Sequence, residues 1–214
     1  MAIIIGGKNA RFSGKLGKID FKTWKGIPYI ASNVGRKGNK KASYLQLANQ
    51  LKMATVSQFV VKINAAVTIG YKGLPKGKTG NNCANSYIRF NALEGTYPNF
   101  SIDLTKVLMS NGSLPGAVTP TASLTAGSLV TFNWGNNIGT GIAKASDKAF
   151  MVVYCAETGG CMYSIGNALR GGFTGSFDAH LFKGQILHTY MGFITADDKQ
   201  AAPSAYTGIV LIPV

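Results

Sequence analysis

From residue 113 onward the chain is a train of short apolar segments cut by turn residues, and this pattern limits the fold most. The segments are Ala117–Leu124, Leu129–Trp134, Lys148–Cys155, Cys161–Ile165, Gly172–His180, Ile186–Thr195 and Ala205–Ile212. Gly127, Gly135-Asn136-Asn137, Gly159-Gly160, Asn167, Lys183-Gly184 and Asp197-Asp198 punctuate them. Seven short strands at such spacing predict an antiparallel sandwich of immunoglobulin or fibronectin type. Trp134 and Tyr190 are its expected core anchors.

The first 112 residues have a different texture. Ala2–Ile5 reads as a short strand, followed by a Gly- and Lys-rich arm to Gly17. Ile19–Trp24 alternates apolar and polar residues as a half-buried strand does. Lys25-Gly26 is a turn signal, and Ile27–Ser32 returns as a partner strand that Pro28 marks as an edge. On the first of these strands Ile19, Phe21 and Thr23 share one face, and Asp20, Lys22 and Trp24 the other.

A basic connector over residues 33–42 leads to a helix expected from Ser43, which has capping-box spacing to Gln46. The helix can run to Ile69 and stop at Gly70; unbroken, it would span ~40 Å. Tyr44, Leu47, Ala48, Leu51, Ala54, Phe59, Ile63 and Val67 form its stripe, while Met53, Val56, Val60 and Val61 fall outside it. Its second half is therefore apolar nearly all round, which calls for burial on more than one side. A shorter helix over Asn82–Leu93 and a strand over Phe100–Met109 complete this part. The expected organisation is an α+β region of β-hairpin plus long helix over residues 1–112 and a β-sandwich over 113–214.

Charge divides the chain more sharply than fold does. Of the 22 Lys and Arg, 15 lie in residues 1–80 against the single acid Asp20, while residues 81–214 hold seven of each sign. The whole net charge of +14 thus sits in the N-terminal third. Such asymmetry points to a polyanion or an acidic partner. The candidate contact residues are Lys8, Arg11, Lys15, Lys18, Lys22, Trp24, Lys25, Arg36, Lys37, Lys40, Lys41, Lys76 and Lys78. Phe12, Phe21, Trp24 and Tyr29 interleave with these bases, a pattern able to grip single-stranded nucleic acid by stacking and charge. Phe21 is expected in the hairpin core and Trp24, on the opposite face, at the contact. Lysines outnumber arginines 13 to 2 in this third, which suits phosphate contact over base reading.

Catalytic and cofactor patterns are weak. Lys76-Gly77-Lys78-Thr79 resembles the end of a phosphate-binding loop, but Lys72 stands where that loop needs glycine. His180 and His188 have no metal-ligand spacing with Cys83, Cys155 or Cys161, and no nucleophile elbow is present. Asp197-Asp198 reads as a solvated turn. No enzyme activity, metal or cofactor is expected. Cys155 and Cys161 flank a hairpin loop and are a candidate disulfide, although three cysteines suit a reduced compartment. No signal peptide or membrane span is visible, so synthesis in the cytosol is expected.

Several blocks resemble an uncharacterised family of short Bacteroidota proteins. They are Phe12-Ser13-Gly14-Lys15-Leu16-Gly17, Trp24-Lys25-Gly26, Asn85-Ser86-Tyr87 and Asn91–Phe100 with its Tyr97-Pro98-Asn99-Phe100 end. Ile102–Leu108, Gly112–Gly116, His188-Thr189-Tyr190 and Ser204–Gly208 extend the likeness over most of the chain. The sequence departs from the pattern at Ala31-Ser32, where Arg-Ser is usual. The resemblance brings no activity with it.

Only 14% of residues are charged, well below the ~25% of ordinary soluble domains. With the over-wide apolar helix and the Gly-rich arm, this points to surfaces buried between copies. The expected function is a non-enzymatic structural subunit of a self-associating assembly, such as a phage-like virion component or a filament. Its basic third would face a polyanion or an acidic neighbour. The alternative is a sequence-nonspecific nucleic-acid-binding protein, and the third reading a carbohydrate- or surface-binding module.

Overall fold

A computed structural model describes residues 2–5, 11–24, 27–33, 41–73 and 78–213, with 2–5 and 11–12 given by their backbone path. The protein is mostly β-sheet with a few helices, and it divides into two units, Met1–Ser43 and Tyr44–Val214.

The first unit is a four-stranded antiparallel meander of β1 (Ala2–Ile5), β2 (Arg11–Leu16), β3 (Ile19–Trp24) and β4 (Ile27–Ser32). The expected β3–β4 hairpin is present, joined by a second hairpin in which Gly14, Lys15 and Leu16 oppose Phe21, Asp20 and Ile19. Gly17 turns between β2 and β3 with φ of +59°, a conformation costly for a residue bearing a Cβ.

The second unit opens with α1 (Tyr44–Lys62) and α2 (Asn64–Gly70). The single long helix expected from the sequence is bent by 82° at Ile63. No proline or glycine marks the break. Ile63 is fully buried there, and the apolar residues on either side turn onto different parts of one core. Burial follows Val56, Phe59, Val60 and Ile63, whereas Tyr44 and Leu47 of the expected stripe are exposed. No single described helix is long and apolar enough to cross a membrane. α1 and α2 pass that test only jointly, across their bend.

Helix α3 (Gly80–Asn91) starts where the Thr79 hydroxyl accepts the Asn82 N–H at 3.2 Å. Thr79, the last residue of the loop fragment that resembled a phosphate site, thus serves as the helix N-cap. A tight hairpin of β5 (Leu93–Thr96) and β6 (Asn99–Ile102) follows. The strand expected to run to Met109 ends at Ile102. Asp103 accepts the Thr105 N–H at 2.9 Å and caps a short 3-10 turn, so the backbone has a local alternative to a strand ladder.

Seven strands complete the unit: β7 (Val118–Ala126), β8 (Leu129–Gly135), β9 (Lys148–Cys155), β10 (Cys161–Leu169), β11 (Thr174–Asp178), β12 (Ile186–Ile194) and β13 (Ala205–Leu211). They form two open antiparallel sheets, ordered β11-β8-β7 and β10-β9-β12-β13.

Strand β9 is buried on both faces, as its near-continuous apolar run requires. Ala149, Met151, Val153 and Cys155 join Val130, Phe132 and Trp134 of β8 in one cluster. Phe150, Val152 and Tyr154 point the other way, into a cluster with Val56, Phe59, Ile63 and Val67 of the helices and with Ile88 of α3. Trp134 packs edge-on against Phe193 at 5.6 Å, and Tyr190 donates its hydroxyl to Leu104 O at 2.7 Å. Both expected anchors are buried. The change of texture near residue 113 thus falls inside the second unit, where helices and strands share a core.

Cys155 and Cys161 are not bonded; all three cysteines are free. Register explains this. Cys161 stands opposite Tyr154, so it faces the helix-side cluster, while Cys155 faces the β8-side cluster. Two cysteines on opposite faces of one sheet cannot be bridged. Burial pushes the Cys161 thiol up to about 12.

One buried charge was not foreseen. Arg170 is fully buried. Its Nε meets Asp147 Oδ2 at 3.0 Å, and Nη1 donates to Asn137 Oδ1 at 2.7 Å. Nη2 donates to Pro115 O at 2.9 Å. The guanidinium lies 3.8 Å from the Phe193 ring centre, and the Arg170 carbonyl accepts the Trp134 indole N–H at 2.8 Å.

Candidate interaction surface of the N-terminal sheet

Pairing register sorts the side chains of the first sheet into two faces. Phe21 lies opposite Ile30, Ile19 opposite Leu16 and Ser32, and Thr23 opposite Pro28. That face carries no charge. On the reverse face Lys22 lies opposite Tyr29, Trp24 opposite Ile27, and Lys15 and Ala31 flank Asp20.

Both faces carry exposed apolar side chains. Leu16, Ile19 and Ile30 are 62%, 43% and 68% exposed on the uncharged face, and Trp24, Ile27 and Tyr29 are 48%, 60% and 46% exposed on the other. A shallow cleft of about 360 Å³ is lined by Trp24, Ile27 and Tyr29. Asp20 is buried; it accepts the Asn33 amide at 3.4 Å and lies 3.5 Å from Lys22 Nζ.

Of the expected contact residues, Lys15, Lys22 and Trp24 come together on this second face. Lys18 sits in the β2–β3 turn, where its carbonyl accepts the Asn33 N–H at 2.6 Å. Arg11 is described by its backbone, in β2. Lys8, Lys25, Arg36, Lys37, Lys40 and Lys76 lie outside the described residues. Lys41 is exposed just before α1. Lys78 belongs to the second unit, in a surface depression with Asn82, Ser86 and Phe90. Tyr29, one of the aromatics interleaved with the bases, joins Lys22 and Trp24 on that second face. The pairing of β3 with β4 sets it opposite Lys22.

Other chemistry-bearing side chains are dispersed. His180 Nδ1 lies 3.0 Å from Asp178 Oδ2 on the surface, in a short turn after β11 rather than within the strand. His188 Nδ1 lies 3.0 Å from the Tyr206 hydroxyl, and burial lowers its pKa. Among the described residues no three His, Cys, Asp or Glu side chains converge as a metal site would require.

The geometry defines a basic, β-rich protein whose N-terminal sheet presents one apolar face and one cationic, aromatic face. The chain belongs to a family of unknown function, DUF6266, whose model matches residues 11–208. No curated protein matches it. A solved structure, the twitchin kinase region from C. elegans (Fn31-NL-kin-CRD-Ig26), matches 48% of this chain and 17% of its own length. That match has 15% identity and a TM-score of 0.36.

Proposed function

We propose that the protein is a non-enzymatic structural subunit that assembles with copies of itself, in a virion-like particle or a filament. The observation that carries this reading is the uncharged face of the N-terminal sheet. Leu16, Ile19 and Ile30 stand exposed there on a sheet of four short strands. A small sheet needs a packed apolar face for its stability, and contiguous exposed apolar surface marks contact sites. In the second unit, Tyr44 and Leu45 at the start of α1 are themselves 63% and 71% exposed. In an assembly the basic third would face a polyanion or an acidic neighbour.

The second unit would supply the scaffold. Of its last seven strands, β7, β8 and β11 share one sheet and β9, β10, β12 and β13 the other. We read this three-plus-four division as a sandwich of fibronectin type III order, a module suited to tiling and carrying no chemistry by itself.

Light scattering on a sizing column, with absorbance at 260 and 280 nm, tests the reading. A homogeneous mass of many copies is expected, falling towards the monomer in Ile19→Lys/Ile30→Lys. A wild-type monomer at all concentrations overturns it.

A further inference from the structure

The opposite face of the N-terminal sheet has a different composition and calls for a different occupant. We infer that the face bearing Lys15, Lys22, Trp24 and Tyr29 is a binding platform for single-stranded nucleic acid. This inference is independent of self-assembly, since a monomer presents the same face.

Four observations support it. First, Trp24 and Tyr29 are each about half exposed on one side of the sheet and bound a common cleft. Second, their positions are diagonal neighbours across β3 and β4, because Trp24 pairs with Ile27 and Lys22 with Tyr29. Diagonal neighbours lie roughly 7–8 Å apart. That is about twice the ~3.4 Å step of a stacked strand, so the two rings can take two splayed bases. Third, Lys22 opposes Tyr29 on the same face, its side chain half exposed, and Lys15 lies on the neighbouring strand. Lysine offers a mobile point charge for a phosphate without demanding a base identity. Fourth, residues 1–43 contain ten Lys and Arg and one acid. That acid, Asp20, is buried and already faces Lys22 and Asn33, so it offers little to repel a polyanion.

Acidic protein is the competing occupant. It would satisfy the lysines but has no need of two aromatic rings spaced at about twice the stacking step. Duplex nucleic acid fits less well, because its bases are stacked away from a ring on an open sheet. Aromatic rings interleaved with lysines are the pattern by which single strands are held without sequence preference.

The test uses the full-length protein and an oligothymidylate of about a dozen nucleotides, a matched duplex and polyglutamate. The chain has two tryptophans, and Trp134 is 5% exposed in the core. Quenching of tryptophan emission by the oligonucleotide therefore reports Trp24. Saturable quenching is expected, with duplex and polyglutamate each at least several-fold weaker. Trp24→Ala should weaken oligothymidylate binding roughly 5- to 150-fold, the worth of one stacked base. Should Trp24→Ala fail to fold, Trp24→Phe removes the quench while anisotropy still shows binding, and Lys22→Gln weakens it. Emission of the wild-type protein unmoved at saturation overturns the inference. So does binding of duplex as tight as single strand, which would reduce the surface to undirected charge. Polyglutamate binding as tight as oligothymidylate would assign the face to an acidic protein instead.

Discussion

Replacing Arg170 by methionine isolates the buried charge at the centre of the second unit. Methionine matches the arginine stem in length and keeps the apolar contact with Phe193. It removes the contacts to Asp147 Oδ2, Asn137 Oδ1 and Pro115 O, at 3.0, 2.7 and 2.9 Å. The Asp147 side chain, 2% exposed, keeps the Lys144 N–H at 2.9 Å but loses its cation. Breaking a buried ion pair from one side costs about 3–5 kcal/mol, because the remaining charge is left buried without a counter-charge. For a unit of this size each kcal/mol lowers Tm by about 2–4 °C. Arg170→Met should therefore melt about 6–20 °C below wild type by circular dichroism or calorimetry. Arg170→Lys, which keeps the charge but cannot form the fork, should fall between. Adding Asp147→Leu to Arg170→Met removes the stranded carboxylate and should recover part of the loss; the Asn137 and Pro115 oxygens still lack their donor. A single variant within about 2 °C of wild type would refute the reasoning, since ~1 kcal/mol is far below the cost of a stranded buried charge. A double variant no more stable than the single would refute it too.

Asp103 is held down to about 2 by the Thr105 hydroxyl, then Lys106 and the Thr105 N–H. A depressed carboxylate adds stability at higher pH that is lost as pH falls from about 4 towards 2. Asp103→Asn should flatten the wild-type decline of Tm over that window, and an unchanged decline would remove Asp103 from the acid response. Denatured without reductant and treated with iodoacetamide, the protein should gain three carbamidomethyl groups by mass, one each at Cys83, Cys155 and Cys161; a gain of one would restore the disulfide. At Gly70 an added Cβ would meet the Met109 carbonyl oxygen and approach the Ser110 Cα to 2.9 Å. Both are backbone, so Gly70→Ala should cost about 1–3 kcal/mol by overpacking despite alanine's better helix propensity, readable as a lower midpoint in urea.

Legibility in the sequence tracked how local the deciding physics was. Strand β9 was readable to its termini because its apolar run is bounded by Asp147 and the Ala156–Gly160 turn. The presence of seven short strands followed from apolar runs and turn residues, while their order within the two sheets did not. The 82° bend at Ile63 was not readable: nothing in Lys62-Ile63-Asn64 breaks a helix, and tertiary packing decides it. The ion pair of Asp147 and Arg170 was hidden for the same reason, as 22 residues separate two charges that the loops bring together. At the candidate surface, Trp24 and Lys22 were placed on one face by alternation within a single strand. Tyr29 required the register across the turn. The two-sided burial of Cys155 and Cys161 required it as well, which is why their pairing looked reasonable from spacing.

The alternation of β9 between two cores has a consequence for how the second unit opens. Phe150, Val152 and Tyr154 hold the helical side, and Met151, Val153 and Cys155 the opposite one. Stripping away either side leaves one of these sets bare to water, and a slip by one residue would exchange the two sets wholesale. Helices and sheets are therefore expected to unfold as one cooperative unit, with the amides of β9 and its partner β12 exchanging with solvent only through global opening. A fragment beginning at residue 113 would leave Phe150, Val152, Tyr154 and Tyr190 bare of their helical cover, so excision there should yield an aggregating chain rather than a smaller stable domain.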